Sequence, residues 1–305
     1  MRKRTKKRIT SQSNQKEKIT MAAISAADVK KLRDLTGAGM MDCKKALTEA
    51  NGDFAGAEKI LKEMGLAAVA KRQDRATENG RVFVKIKNGK AVLLSLSCET
   101  DFVAKNADFA KLGEDMCEVI LDKGYTEPNA ELTAMVDGLI AIIKENMHLV
   151  KFEVIDVPAN GYADGYVHGE GTVAVAVVLT SDKPEAFENA EVKELAHNLG
   201  LHAAAFKPQY LSDKVVDKAY ENEQLEIFQK QVETDPKMAS KPEKVKEGIV
   251  RGKLGKLYKE ICFLEQPYVK DDSISVAQAL VNAGKAADGA KLELTAYGVY
   301  QAGVN

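Results

Sequence analysis

The sequence predicts an α+β protein in which a small helical unit precedes a body of antiparallel strands and helices. Three observations carry that reading. Apolar residues recur at helical spacing between capping signals from Ser25 to Gly65. Alternating strand-like runs flank Asn88-Gly89, the strongest short hairpin signal. A second outline of strand, turn, strand and helix follows Phe152.

In chain order, Ser25 opens a Ser-x-x-Asp capping box, and Val29, Leu32 and Leu35 mark a helix that Thr36-Gly37 should end. Gly37-Ala38-Gly39 reads as a helix-to-helix turn, because no strand precedes it and no phosphate-loop pattern follows. A second helix carries Met41, Cys43, Ala46, Leu47 and Ala50 to Asn51-Gly52. Asp53 caps a third, with Phe54, Ala57, Ile60, Leu61 and Met64 in one stripe ending at Gly65, and residues 66–75 read as a partly helical linker. Three helices in roughly 45 residues lie near the lower size limit for a self-sufficient core, and such a unit usually docks a partner.

Residues 81–87 and 91–98 form the hairpin strands. A helix through Phe109, Leu112, Met116, Val119 and Ile120 and another through Leu132 to Ile143 can cover them. Residues 152–157 and 165–168 are strand-like, Gly169-Glu170-Gly171 turns, 172–179 returns, and 185–201 is helical. Two hairpin-plus-helix halves give an antiparallel body with helices on one face. A long helix over 212–231 and a glycine-interrupted one after Pro242 form a projecting helical hairpin, suited to self-association or partner contact. A short helix near 276–281 and a strand over 292–297 close the chain. The expected domains are a basic tail, disordered or preceding a true start at Met21 (1–21), a three-helix unit (22–75), the first core half (76–150), the second (151–211, completed by 263–305) and the helical hairpin (212–262).

The formal charge of −1 divides into +7 over residues 1–20 and −8 over the rest, and an acidic body argues against nucleic acid as the main ligand. No apolar run approaches the roughly 18–20 residues that span a bilayer. The basic tail lacks the apolar centre of a secretory signal, so a cytoplasmic location is expected. Cys43, Cys98, Cys117 and Cys262 are widely spaced in apolar patterns, as core thiols are. His197 and His202, five apart, diverge by about 140° on a helix and make no metal pair. No catalytic grouping or cofactor motif stands out, so neither metal nor cofactor is expected.

The seven residues Thr100-Asp101-Phe102-Val103-Ala104-Lys105-Asn106 lie between a strand and a helix. Two readings of Phe102 stand: it folds back over the following helix, or it projects as a wedge for a partner.

This stretch, together with Thr36-Gly37-Ala38-Gly39-Met40-Met41-Asp42-Cys43-Lys44-Lys45-Ala46-Leu47 and Glu265-Gln266-Pro267-Tyr268-Val269-Lys270-Asp271, resembles three signatures of the elongation factor Ts family, in order and spacing, over about residues 22–300. The resemblance implies a ubiquitin-associated-like three-helix bundle, two related α+β core halves and an inserted helical hairpin. It also implies a non-enzymatic guanine-nucleotide exchange factor for elongation factor Tu, bound with GDP or without nucleotide. Thr100, Asp101, Phe102 and Val103 would enter the partner's nucleotide-binding domain and disturb its magnesium ion. Arg33, Met40 and Met41 would touch the same domain, and His202 another part. Read without the family, Met40 and Met41 divide into one buried and one exposed residue, Arg33 is an ordinary solvated position, and His202 packs among alanines. Some family members continue into a C-terminal helical module, a contact expected to be missing here. The other functions weighed are a peptide- or ubiquitin-like-surface binder built on the head, and a hydrolase or transferase hidden in the core.

Overall fold

Ser25 and Asp28 begin the described chain's first helix by capping each other: Ser25 Oγ accepts the Asp28 N–H at 3.1 Å and Asp28 Oδ2 the Ser25 N–H at 3.3 Å. The computed structural model describes residues 24–238 and 240–303, so the basic tail lies outside the described residues. Helix α1 (Ala26–Thr36) ends at Gly37, whose φ of +68° lets its N–H return to Arg33 O at 2.8 Å. α2 (Met40–Glu49) and α3 (Phe54–Ala70) complete the unit, Asp53 accepting the Gly56 N–H at 2.9 Å. Val29, Leu32, Cys43, Ala46, Leu47 and Ala57 are its buried core. Gly65 does not end α3. A lone helical glycine costs about 1 kcal/mol relative to alanine, which does not suffice to stop a helix.

The chain divides into two compact units at Ala67, and the second holds two three-stranded antiparallel sheets. The first joins β1 (Asn79–Lys87), β2 (Lys90–Cys98) and β3 (Met147–Asp156) in that order. Asn88 and Gly89, with φ of 53° and 70°, make the tight turn between β1 and β2. Between β2 and β3 run the one-turn helix α4 (Asp101–Ala104), α5 (Ala107–Lys123) and α6 (Ala130–Ile143). The second sheet begins with β4 (Gly161–His168) and β5 (Val173–Ser181), followed by a 3-10 turn and α7 (Ala190–Phe206). α8 (Lys218–Thr234) and α9 (Glu243–Ile261) come next, then the short ladder of β6 (Pro267–Tyr268) with β7 (Asp271–Ser275) and α10 (Val276–Ala286). β8 (Leu292–Gln301) then pairs with β5, giving the order β4-β5-β8.

Side-chain alternation builds four layers from these elements. Val92, Leu94, Leu96 and Cys98 face α5 and α6, where Phe109, Met116 and Ile120 pack. The opposite face of β2, at Ala91 and Leu93, meets Ala174, Ala176 and Val178 of β5. Val173, Val175, Val177 and Leu179 point the other way, to α7 and α10. β2 and β5 are therefore covered on both faces, which explains their nearly unbroken apolar sequence. The expectation of helices on one face is corrected: each sheet has helices on one side and the other sheet on its second. At Gly113 of α5 the Phe83 ring of β1 approaches so closely that an added Cβ would lie 2.1 Å from it.

Three boundaries are also corrected. β3 pairs along β2 from Lys90↔Asp156 to Cys98↔Met147, so residues 147–156, His148 included, belong to the first sheet, and no core half begins at 151. A strand's alternation identifies its faces, not its neighbour. The helix expected over 185–201 starts at the Asn189 cap and runs to Phe206, with a 3-10 turn before it. The long helix expected from Ser212 starts after Asp217, which accepts the Ala219 N–H at 2.7 Å. At the root of α8 and α9 the two ends of the insertion are stitched together: Gln209 N–H donates to Ile261 O at 2.8 Å and Phe263 N–H to Tyr210 O at 2.9 Å. Lys253 of α9 donates to Gln231 of α8 at 2.8 Å, consistent with an antiparallel pair.

Candidate functional site

Where β2 stops, Thr100 turns the chain. Its side-chain oxygen accepts the Val103 N–H at 3.3 Å as the N-cap of α4, and Asp101 occupies the first turn, where a negative charge suits the exposed N–H groups. Asn106 then caps α5 through the Asp108 N–H at 2.7 Å. Two caps six residues apart fix a single helical turn between strand and helix. Successive helical side chains diverge by about 100°, so the turn sends Val103 into the first-sheet core and Phe102 outward. Phe102 is 83% exposed, which excludes the reading that it folds back as a local plug. Asp101 and Lys105 form an exposed i,i+4 pair at 3.1 Å, a contact weak in water.

Behind the turn, polar groups from distant segments hold it. The Thr100 hydroxyl lies 3.1 and 3.0 Å from the two carboxylate oxygens of Glu145. The neighbouring Glu99 accepts the Asn146 N–H at 2.5 Å, pairs with Arg75 at 3.3 Å, and its carbonyl accepts from Asn79 at 2.9 Å. Asn146, buried, donates in turn to Arg75 O at 2.7 Å. Burial pushes the Cys98 thiol up to about 12, so it stays protonated and donates to Thr100 O at 3.2 Å. Sequence reading missed Arg75, Glu99, Glu145 and Asn146. Only the Thr100 cap had a local signal, because its partner Glu145 lies on the far side of α5 and α6. Beside Asp101 and Lys105 opens a cleft of about 240 Å³ lined also by Glu78, Gly171, Ala302 and Gly303.

In the first unit, Arg33 lies exposed in the last turn of α1, and Leu35 beside it is 63% exposed rather than part of the buried stripe. Met40 and Met41 are 41% and 75% exposed, so the expectation of one buried methionine is corrected. They are the first two residues of α2, and the stripe that meets α1 starts one turn later at Cys43.

His202 is the other correction. It has no exposed surface, its Nε2 lies 2.8 Å from Gln266 Oε1, and its ring stacks on Phe263 at 5.2 Å. A buried imidazole offers a partner nothing to touch. Burial also lowers its pKa from 6.5, which keeps it neutral.

Among the described residues no group of three or more His, Cys, Asp or Glu is placed to hold a metal ion. No helix among them is long and apolar enough to cross a membrane. Burial pushes Cys117 and Cys262, like Cys98, up to about 12, and a thiol that stays protonated is a poor nucleophile. The constellation is suited to contact: one stiffly held aromatic beside an acid and, within the first unit, exposed Arg33, Leu35, Met40 and Met41.

Residues 99–304 match the family model described as elongation factor TS. The chain is 49% identical over 281 residues to elongation factor Ts of Treponema denticola, covering 92% of this chain and 99% of that protein. It is 43% identical over 292 residues to elongation factor Ts of Treponema pallidum, with coverages of 92% and 99%. Against elongation factor Ts of Borreliella burgdorferi the identity is 42% over 267 residues, covering 87% and 94%.

Proposed function

The chain belongs to the elongation factor Ts family, whose role is nucleotide exchange in translation elongation, and we propose that it binds elongation factor Tu carrying GDP and expels the nucleotide by inserting Phe102. The observation that supports this most is Phe102 itself, a large apolar ring left 83% in water on a turn held by Thr100, Glu99 and Glu145. Exposing such a ring forfeits about 1.5–3 kcal/mol that burial would return. Mounted on a loose loop, the ring would lose that gain to ordering; mounted on a capped turn, it delivers the gain to the partner.

GDP on such a partner is held by a magnesium ion and by preorganised amides, whose favourable geometry tolerates little displacement. Phe102 entering an apolar gap, with Val103 anchoring the turn from behind and Thr100 setting its direction, displaces that arrangement. Asp101 brings a negative charge toward the ion and phosphates, which competes for the one and repels the other. Exchange makes and breaks no covalent bond. The coupling needed is typically 1–3 kcal/mol, which one aromatic burial is large enough to supply. By linkage, GDP weakens binding of this protein by the same factor, so loss of GDP and tight binding of the exchange factor follow from one equilibrium.

Arg33, Met40 and Met41 serve as a second contact on the nucleotide-binding domain, the three-helix unit acting as a ubiquitin-associated-like docking head. The α8–α9 pair is the element assigned to self-association. Neither nucleic acid nor membrane enters the reaction, and its place is the cytoplasm, where elongation runs. The test is displacement of a fluorescent GDP from elongation factor Tu by excess unlabelled nucleotide. Addition of this protein should speed the signal loss; an unchanged rate overturns the reading.

A further inference from the structure

The end of α7 carries a second exposed aromatic. Phe206, its last residue, is 50% exposed, followed by Lys207 in the left-handed region at φ +46° and by buried Pro208, so the helix stops abruptly and the ring stands at its tip.

What stands behind Phe206 is His202, one helical turn earlier. The two rings are 4.7 Å apart, and His202 in turn stacks on fully buried Phe263 at 5.2 Å with planes 9° apart. Tyr297 closes the far side edge-on to Phe263 at 5.0 Å, and its hydroxyl donates to Pro208 O at 2.9 Å. The imidazole orientation is determined by Gln266. That amide donates through Nε2 to Glu260 O at 2.8 Å, which leaves Oε1 as the acceptor, so His202 carries its proton on Nε2. Among the described residues, Nδ1 of His202 has no hydrogen-bond partner. Gln266 lies in the third signature stretch, whose exposed residues the exchange reading leaves without a task; its physical role is to lock this ring stack to the root of α9.

The position of Phe206 follows from the sheets. Along β4, Tyr162 stacks on Phe187 before α7 begins, and Asp164 pairs with His197 midway, so α7 ends near the His168 end of β4. There Lys207 donates to Gln301 at the end of β8, and the next residues, Ala302 and Gly303, line the cleft that Asp101 and Lys105 share. Phe102 and Phe206 are thus linked through a chain of neighbouring residues, Asp101 and Ala302 on the cleft and then Gln301 and Lys207.

We infer that Phe206 is a second aromatic anchor, entering an apolar depression on the same partner protein that Phe102 enters, and that His202 is a positioning residue acting only through Phe206. The inference rests on the exchange reading. The two phenylalanines divide the work: Phe102 disturbs the nucleotide site and governs the release rate at saturation, whereas Phe206 holds the complex and governs how much protein is needed.

The test measures GDP release from elongation factor Tu across a concentration series of this protein. Phe206→Ala should raise the half-saturating concentration about tenfold, in the range of aromatic interface anchors, with the plateau rate and thermal unfolding unchanged. Phe206→Tyr should restore it. His202→Gln should raise it in the native background and add nothing on top of Phe206→Ala, because a residue that acts through another is not additive with it. A wild-type chain that leaves GDP release unchanged overturns the exchange reading and this inference with it. A wild-type chain that accelerates release, with Phe206→Ala matching it at every concentration, overturns this inference alone.

Discussion

The Thr100 hydroxyl sits between two tasks, accepting the Val103 N–H at 3.3 Å and lying 3.0 Å from Glu145 Oε2. It joins the turn that presents Phe102 to the segment after α6. Thr100→Val keeps the shape and removes both bonds. Loss of an N-cap costs about 1 kcal/mol, and the partner left behind raises the total to about 1–2 kcal/mol. Denaturant unfolding should record that loss, and the saturated rate of GDP release should fall several-fold as the Phe102 mounting loosens.

Met41 tests the head independently of the core. At 75% exposure its replacement by aspartate should leave unfolding within about 0.5 kcal/mol of wild type. The half-saturating concentration for exchange should rise, with the plateau rate kept, because the head contributes binding and does not reach the nucleotide site in this mechanism. A lowered plateau would contradict that division.

Gly113→Ala tests the close approach of α5 to β1. Alanine favours a helix by about 1 kcal/mol, but its Cβ would lie 2.1–2.4 Å from three atoms of the buried Phe83 ring. Overpacking wins, and chemical denaturation should show a net loss of about 1–3 kcal/mol.

His202 makes stability depend on pH. Its folded pKa lies below 6.5, so between those two values the unfolded chain binds more protons than the folded one. The stability it contributes is complete above pH 6.5 and is lost as pH falls through the folded value. Unfolding midpoints taken between pH 7.5 and 5 should drop further for wild type than for His202→Gln. Parallel curves would show that the imidazole is not the group responsible.

Local chemistry was legible from the letters. Ser25 with Asp28, Gly37, Asn88-Gly89 and the apolar rows of α5 each act within a few residues, and the structure has them as read. What failed depends on partners far along the chain. Residues 152–157 alternate whether they pair with β2 or begin a new sheet, and only the fold decides that they complete the first. The sheet-to-sheet contact had a faint signal in the small residues Ala174 and Ala176, alternating with larger Val173 and Val175. At the site, spacing left Phe102 with two outcomes, and the deciding factors, Glu145 and Asn146, lie on the far side of two helices. His202 shows the opposite limit: a residue that the family resemblance offered as a contact is internal, and the ring packed against it, Phe206, belongs to no signature.

The central claim is that a rigidly presented acid and aromatic expel the nucleotide. Its most direct measurement is stopped-flow release of fluorescent GDP from elongation factor Tu at saturating exchange factor, comparing wild type with Asp101→Ala plus Phe102→Ala. Both side chains are exposed, so the variant should unfold like wild type and still bind through its remaining contacts. The account expects its plateau rate to fall at least about tenfold, toward the spontaneous rate, a rise of about 1.4 kcal/mol or more in the barrier to release. A folded, bound variant that releases GDP as fast as wild type would contradict it.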